Sequence, residues 1–194
     1  MRRLLVKYAK NGGASLLSHR DSMRALERAL RRSGLPLVYT EGFSPRLRMS
    51  FSPALPLGVS AEAEYIEVSV EEEVGTNEAR DKMNQALPQG LRVCEVQPLA
   101  PTMPKLSRWV RYGLYRIGAD EKTIYLLMQL SGEKQGRLKV ALEVIADRLG
   151  RPADNRDVTR VGLYASPDEV LEDVRGPVYF YDGKRGELEE MAGD

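Results

Sequence analysis

Apolar and polar residues alternate from Arg3 to Tyr8, the period-two pattern of a strand with one buried face. Asn11-Gly-Gly-Ala reads as a turn. From Ser18 the period lengthens: Met23, Leu26, Ala29 and Leu30 recur at helical spacing. Ser18 is the expected N-cap, with Asp21 three residues on and Gly34 and Pro36 as stop signals. Short strands are predicted at Leu37–Thr40, Arg48–Phe51 and Tyr65–Val70, with alternation clearest from Glu64 onward. Between the last two, Pro53, Pro56 and Gly58 impose an irregular connection. A second helix, capped by Asn77, carries Ala79, Met83 and Leu87 near one face. Pro88-Gln-Gly90 ends it, and Leu91–Val96 makes another strand. This order predicts an α+β fold with a ferredoxin-like βαββαβ unit over residues 1–97.

Residues 98–105 hold the proline-rich linker Pro98-Leu-Ala-Pro-Thr-Met-Pro104. Beyond it, residues 106–183 predict a second α+β unit. Its strands are Arg108–Ile117, Thr123–Leu130, Val158–Tyr164 and Val178–Tyr181, with a helix from Gln135 to Leu149. That unit is either a degenerate ferredoxin-like copy of the first or a β-rich extension sharing one sheet. Residues 184–194 are polar and predict a loose tail.

Composition changes this picture in one respect. Residues 1–50 carry 11 Lys and Arg against three acids, while the remaining 144 residues carry 18 against 25. The +8 of the first segment against −7 elsewhere points to an anionic partner at the N-terminal end, unless the acidic part neutralises it internally. No apolar run has the length of a membrane span, and the N-terminus lacks a signal-peptide pattern, so a cytoplasmic protein is expected. Cys94 is the only cysteine, in an alternating run that predicts a small buried apolar role. One thiol cannot supply the ligands of an iron–sulfur cluster, and one histidine with one cysteine gives no metal constellation.

The candidate chemistry lies between Ser18 and Ser50. On the first helix Arg20, Arg24, Arg28, Arg31 and Arg32 fall within roughly a 120° arc opposite the apolar stripe. Guanidinium groups on a rigid element suit bidentate recognition of phosphates. Glu27 can pair with Arg31 one turn on. Arg46 and Arg48 follow in a loop, Gly42-Phe43-Ser44-Pro45, whose glycine and proline shape and stiffen it. Phe43 is expected to plug that loop onto the core; exposed, it would stack on an unpaired base beside Ser44 and the arginines. His19, beside the cap, reads first as a structural residue; it is kept as a candidate general acid or base, although no second catalytic group accompanies it. Trp109 with Arg108, Arg111, Tyr112 and Tyr115 forms no clean stacking surface and is a secondary RNA candidate.

The motifs Lys7–Gly12, Ser18-His19-x-Asp21, Glu27-Arg28-Ala29, Gly42-Phe43-Ser44-Pro45 and Leu55-Pro56-Leu57-Gly58 resemble those of the DUF2344 family, the radical-SAM-associated proteins. The resemblance is close through Val70 and loose beyond. The family pattern commonly has leucine where Arg20 stands and His-Pro where Arg46-Leu47 stands, so the loop here has no histidine. The arginine helix and the Gly42–Arg48 loop point to a non-catalytic module that binds substrate, and the resemblance implies that it works alongside a radical SAM protein, such as one that modifies tRNA or rRNA. The iron–sulfur cluster and S-adenosylmethionine would belong to that partner, with no cofactor bound by this chain. Two alternatives remain open: a metal-independent endoribonuclease similar in outline to the CRISPR RNA-processing proteins, using His19, and a protein–protein adaptor for the radical SAM partner.

Overall fold

The computed structural model describes residues 1–118, 123–171, 174 and 176–191. The first elements follow in the expected order: β1 (Arg2–Lys10), α1 (His19–Arg32), β2 (Met49–Phe51), β3 (Ser60–Val70), α2 (Thr76–Ala86) and β4 (Leu91–Leu99). After them come a short α3 (Leu106–Trp109), β5 (Tyr112–Ile117), β6 (Ile124–Gln129), α4 (Leu138–Leu149), β7 (Val158–Tyr164), α5 (Asp168–Leu171), β8 (Val178–Asp182) and β9 (Glu187–Met191). The fold is α+β. One nine-stranded, mostly antiparallel sheet runs in the order β4-β1-β3-β7-β5-β6-β8-β9, with β2 paired to β3.

The alternation in β1 sets the layers. Leu4, Val6 and Tyr8 join Leu26 and Leu30 of α1 and Ala79 and Met83 of α2 in one core. Leu5, on the opposite face, packs with Tyr65, Trp109 and Leu106 beneath α3. A second core lies between α4 and the strands β5, β6, β7 and β8. The halves meet where β3 and β7 run parallel through Ser60–Thr159 and Ala61–Arg160.

The second half does not repeat the pairing of the first, because β8 lies parallel to β6. Residues 187–191, expected in a loose tail, form β9 against β8. The Asp182 carboxylate accepts the backbone N–H groups of Lys184 (2.9 Å) and Arg185 (3.3 Å), which closes the turn before β9. Leu188 then covers the second core. Residues 192–194 lie outside the described residues.

Other boundaries move for local reasons. β4 continues through Pro98, which an outer strand tolerates because one side of its backbone makes no ladder bonds. The predicted strand Leu37–Thr40 is reduced to two isolated bridges, Leu37–Val70 and Tyr39–Leu47. Helix α2 starts one residue before Asn77, after Gly75, with no side-chain cap. Arg108 and Trp109 belong to the helical turn α3, and the strand starts only at Tyr112. The linker is pinned to the sheet: the Arg3 guanidinium donates to the carbonyls of Met103 (2.6 Å) and Pro104 (3.1 Å) and to Glu67 (2.7 Å). Burial pushes the Glu67 carboxyl up, but hydrogen bonds from Arg3, the Leu106 N–H and Ser50 hold it below the usual value. No helix of the described residues is long and apolar enough to cross a membrane.

Candidate functional site

Helix α1 forms where the sequence predicts it. Ser18 Oγ accepts the Asp21 N–H at 3.1 Å and donates to the Asp21 carboxylate at 2.6 Å, so the cap and the first-turn acid act together. Ser22, Ala25, Leu26, Ala29 and Leu30 are buried, which leaves Arg20, Arg24, Arg28, Arg31 and Arg32 exposed on the outer face. Met23, expected in the core, is only half-buried because it lies on the border facing the loop.

That loop is held at its base. Thr40 N–H donates to the Arg46 carbonyl at 2.8 Å, and Arg46 N–H donates to Thr40 Oγ at 3.0 Å. Leu47 is buried beneath it. Gly42 has φ of +119°, a conformation that L side chains rarely adopt, and it lets the chain turn sharply before the tip. Phe43 stands at that tip, fully exposed. The expected plug is therefore absent: Leu47 anchors the loop, and the aromatic ring is left in solvent with Ser44 beside it.

Between α1 and the returning chain lies a cleft of about 420 Å³. Its rim carries Arg20, Arg24, Glu27 and Arg46, and its floor is apolar, made of Met23, Leu47, Met49 and Phe51. The arginines differ in how engaged they are. Arg31 donates to Glu27 at 2.8 Å and lies 5.4 Å from the Tyr39 ring centroid, and Arg32 donates to the Ala86 carbonyl at 2.7 Å. Arg24 stands 3.8 Å from Asp21. The guanidinium groups of Arg20, Arg28 and Arg46 make no hydrogen bond or ion pair with the described residues. Arg48 falls on the other side of the segment, in a groove with Arg3, Lys105 and Glu67. The structure thus brings Arg20, Arg24 and Arg46 together, keeps Arg28 on the same outer face, and separates Arg48 from them.

His19 lies behind the cleft. Its ring meets Phe51 edge-on, with centroids 6.1 Å apart. Burial lowers its pKa; Glu64 opposes this, while Lys10 and Arg160 lower it further. The neutral imidazole is thereby favoured.

Those charges belong to a buried cluster at the seam of the two halves. The Arg160 guanidinium, fully buried, donates to both oxygens of Glu64 and to the Pro53 carbonyl at 2.9 Å. Ser52 Oγ adds a bond to Glu64 at 3.2 Å. Burial opposes the charge of Arg160, but Glu64, with Tyr115, more than offsets it and raises the pKa. Nearby, Lys10 is buried with its Nζ donating to the Leu17 carbonyl at 2.7 Å, and burial lowers its pKa, with Glu64 opposing and Arg160 assisting. The sequence reading overlooked this cluster. The available signal was a carboxylate, Glu64, on the same strand face as Ile66 and Val68. Among the described residues, no three of His, Cys, Asp and Glu gather as metal ligands. Cys94 is half-buried on the outer strand β4, not in the core.

Residues 3–150 match the family described as an uncharacterized protein conserved in bacteria, DUF2344. The match spans most of the sequence, and the chain belongs to that family. No curated protein matches it.

Proposed function

We propose that this DUF2344 protein is a non-catalytic binding module that holds structured RNA, tRNA or rRNA, for a radical SAM enzyme. One observation carries the RNA part of the reading: Arg20, Arg24 and Arg46 rim a cleft with an apolar floor, beside a tip that presents Phe43 to solvent. Guanidinium groups neutralise phosphates, with Arg20 and Arg46 unengaged among the described residues and Arg24 only loosely paired to Asp21, and an exposed aromatic ring on a braced loop stacks on unpaired bases of any sequence. Arg28 extends the positive face along α1. The radical SAM partner is implied by the family resemblance. With one cysteine, this chain cannot supply the thiolates of a cluster, so the cluster and S-adenosylmethionine are assigned to the partner.

The first six elements are read as a ferredoxin-like unit. The strand order β4-β1-β3-β2, with α1 and α2 contributing to one core, supports that reading. Of the alternatives, an endoribonuclease needs His19 at the reacting group, whereas its ring contacts Phe51. An adaptor would use the same arginines on an acidic protein surface.

The test is binding of fragmented cellular RNA to wild type and to an Arg20→Glu/Arg24→Glu/Arg46→Glu variant with verified folding. Binding by the wild type and its loss in the variant are expected. Undiminished binding in the variant would remove the cleft from the account. No RNA binding by either, with a radical SAM protein retained on the column, would favour the adaptor. Cleavage of the RNA that is lost in His19→Ala would favour the nuclease.

A further inference from the structure

The cleft wall holds one group that a pure phosphate site has no use for. Glu27 stands among Arg20, Arg24 and Arg46. Its Oε1 accepts from Arg31 at 2.8 Å, and its Oε2 takes no hydrogen bond from the described residues. A carboxylate offers about four accepting directions, so the pair with Arg31 leaves most of them unused. The floor beneath is apolar and includes Phe51, a surface suited to the face of a base and not to a hydrated phosphate.

We propose that the cleft takes a single unstacked guanine, whose N1–H and N2–H groups donate to the Glu27 carboxylate. This rests on the RNA reading of the same face. An ionised carboxylate only accepts hydrogen bonds, so it selects the base edge richest in donors. Guanine alone among the RNA bases sets two N–H groups side by side on its Watson–Crick edge. Adenine and cytosine place an accepting ring nitrogen beside their amino group, and uracil flanks its one N–H with two carbonyls. Each of those presents a lone pair to the carboxylate. The flanking phosphates of an inserted guanine then meet Arg20 and Arg24 on one wall and Arg46 on the other. A volume of about 420 Å³ lies within the range of clefts that enclose small ligands, roughly 300–1,000 Å³.

The test is a fluorescence-anisotropy titration with short single-stranded RNAs, all uridine except for a central G, A, C or U. Wild type is compared with Glu27→Gln and with Arg20→Glu/Arg24→Glu, the folding of each verified by circular dichroism. Wild type is expected to favour the central G by about 5- to 150-fold, the discrimination of one bidentate pair. Glu27→Gln, which keeps the shape but replaces one acceptor by a donor, should lose that preference, so that the affinities for the four RNAs converge whatever their common level becomes once Arg31 is released. Equal binding of the four RNAs by wild type overturns the guanine assignment. If affinity still falls in the arginine variant, the RNA reading survives it. A guanine preference that persists in Glu27→Gln also overturns the assignment, because some other group must then read the base. No binding of any short RNA overturns it too, and fragmented cellular RNA run in parallel decides whether the RNA reading falls with it.

Discussion

His19, the only histidine, sits beside a helix cap, where a structural role is the first reading, and its ring packs edge-on against Phe51. Burial, with Lys10 and Arg160 assisting and Glu64 opposing, holds its folded pKa below the usual 6.5. The unfolded chain therefore binds the proton more readily. The stabilisation is present above the usual pKa and is lost as pH falls through that value toward the folded one. Urea unfolding from about pH 7.5 to about pH 5 should show a loss of stability that is smaller in His19→Gln. Matching pH profiles for the two proteins would show that the imidazole is not linked to folding. Phe43 reads as a loop anchor but is fully exposed, with Leu47 doing the anchoring. Phe43→Ala should change stability by no more than about 0.5 kcal/mol. It should weaken RNA binding by about 5- to 150-fold, the equivalent of ~1–3 kcal/mol for one stacked base. Unchanged affinity would remove the stacking role.

At the scale of elements, α1 was legible because its signals agree with one another. The Ser18 cap, the helical spacing of its apolar residues and the Gly34 stop all appear in the fold, and the arginines lie on the face opposite the core. The 40–48 segment was not legible, since its one ladder contact before β2 starts at Met49 is the isolated bridge of Leu47 to Tyr39. Alternation has no meaning across such a bend, and so it could not show that Arg46 faces α1 while Arg48 turns toward Arg3 and Lys105. Engagement is likewise invisible in a helical wheel: Arg31 is tied to Glu27 and Tyr39, whereas the Arg46 guanidinium has no partner among the described residues. Arg46→Ala should therefore lower RNA affinity and reduce its salt dependence by about one phosphate contact, a slope change of ~0.7 for single strands. Arg31→Ala should leave both nearly unchanged. Equal effects of the two substitutions would mean that the ion pair opens on binding and that the face acts only through its net charge.

Over the whole molecule, the two halves share one sheet through the short β3–β7 contact, and the Glu64–Arg160 pair lies at that seam. No local sequence pattern predicts this, because the partners are 96 residues apart and each reads alone as a strand charge. Removing one partner leaves the other buried and uncompensated. Arg160→Met should cost about 3–5 kcal/mol in chemical denaturation, and Glu64→Leu/Arg160→Met should recover much of that loss. A single variant as stable as wild type would show that the pair does not hold the seam. Of the 11 Lys and Arg of residues 1–50, five lie on α1 and a sixth, Arg46, lines the cleft beside it, and this is the face that should bind phosphate. The decisive experiment is RNA affinity of the full chain as a function of salt, for wild type and for Arg20→Glu/Arg24→Glu/Arg46→Glu. Log K should fall linearly with log salt for wild type, and the slope should shrink by at least ~2, or three contacts at ~0.7 each, in the variant. A wild-type affinity that does not change with salt, or an unchanged slope in the variant, would contradict phosphate binding by this face.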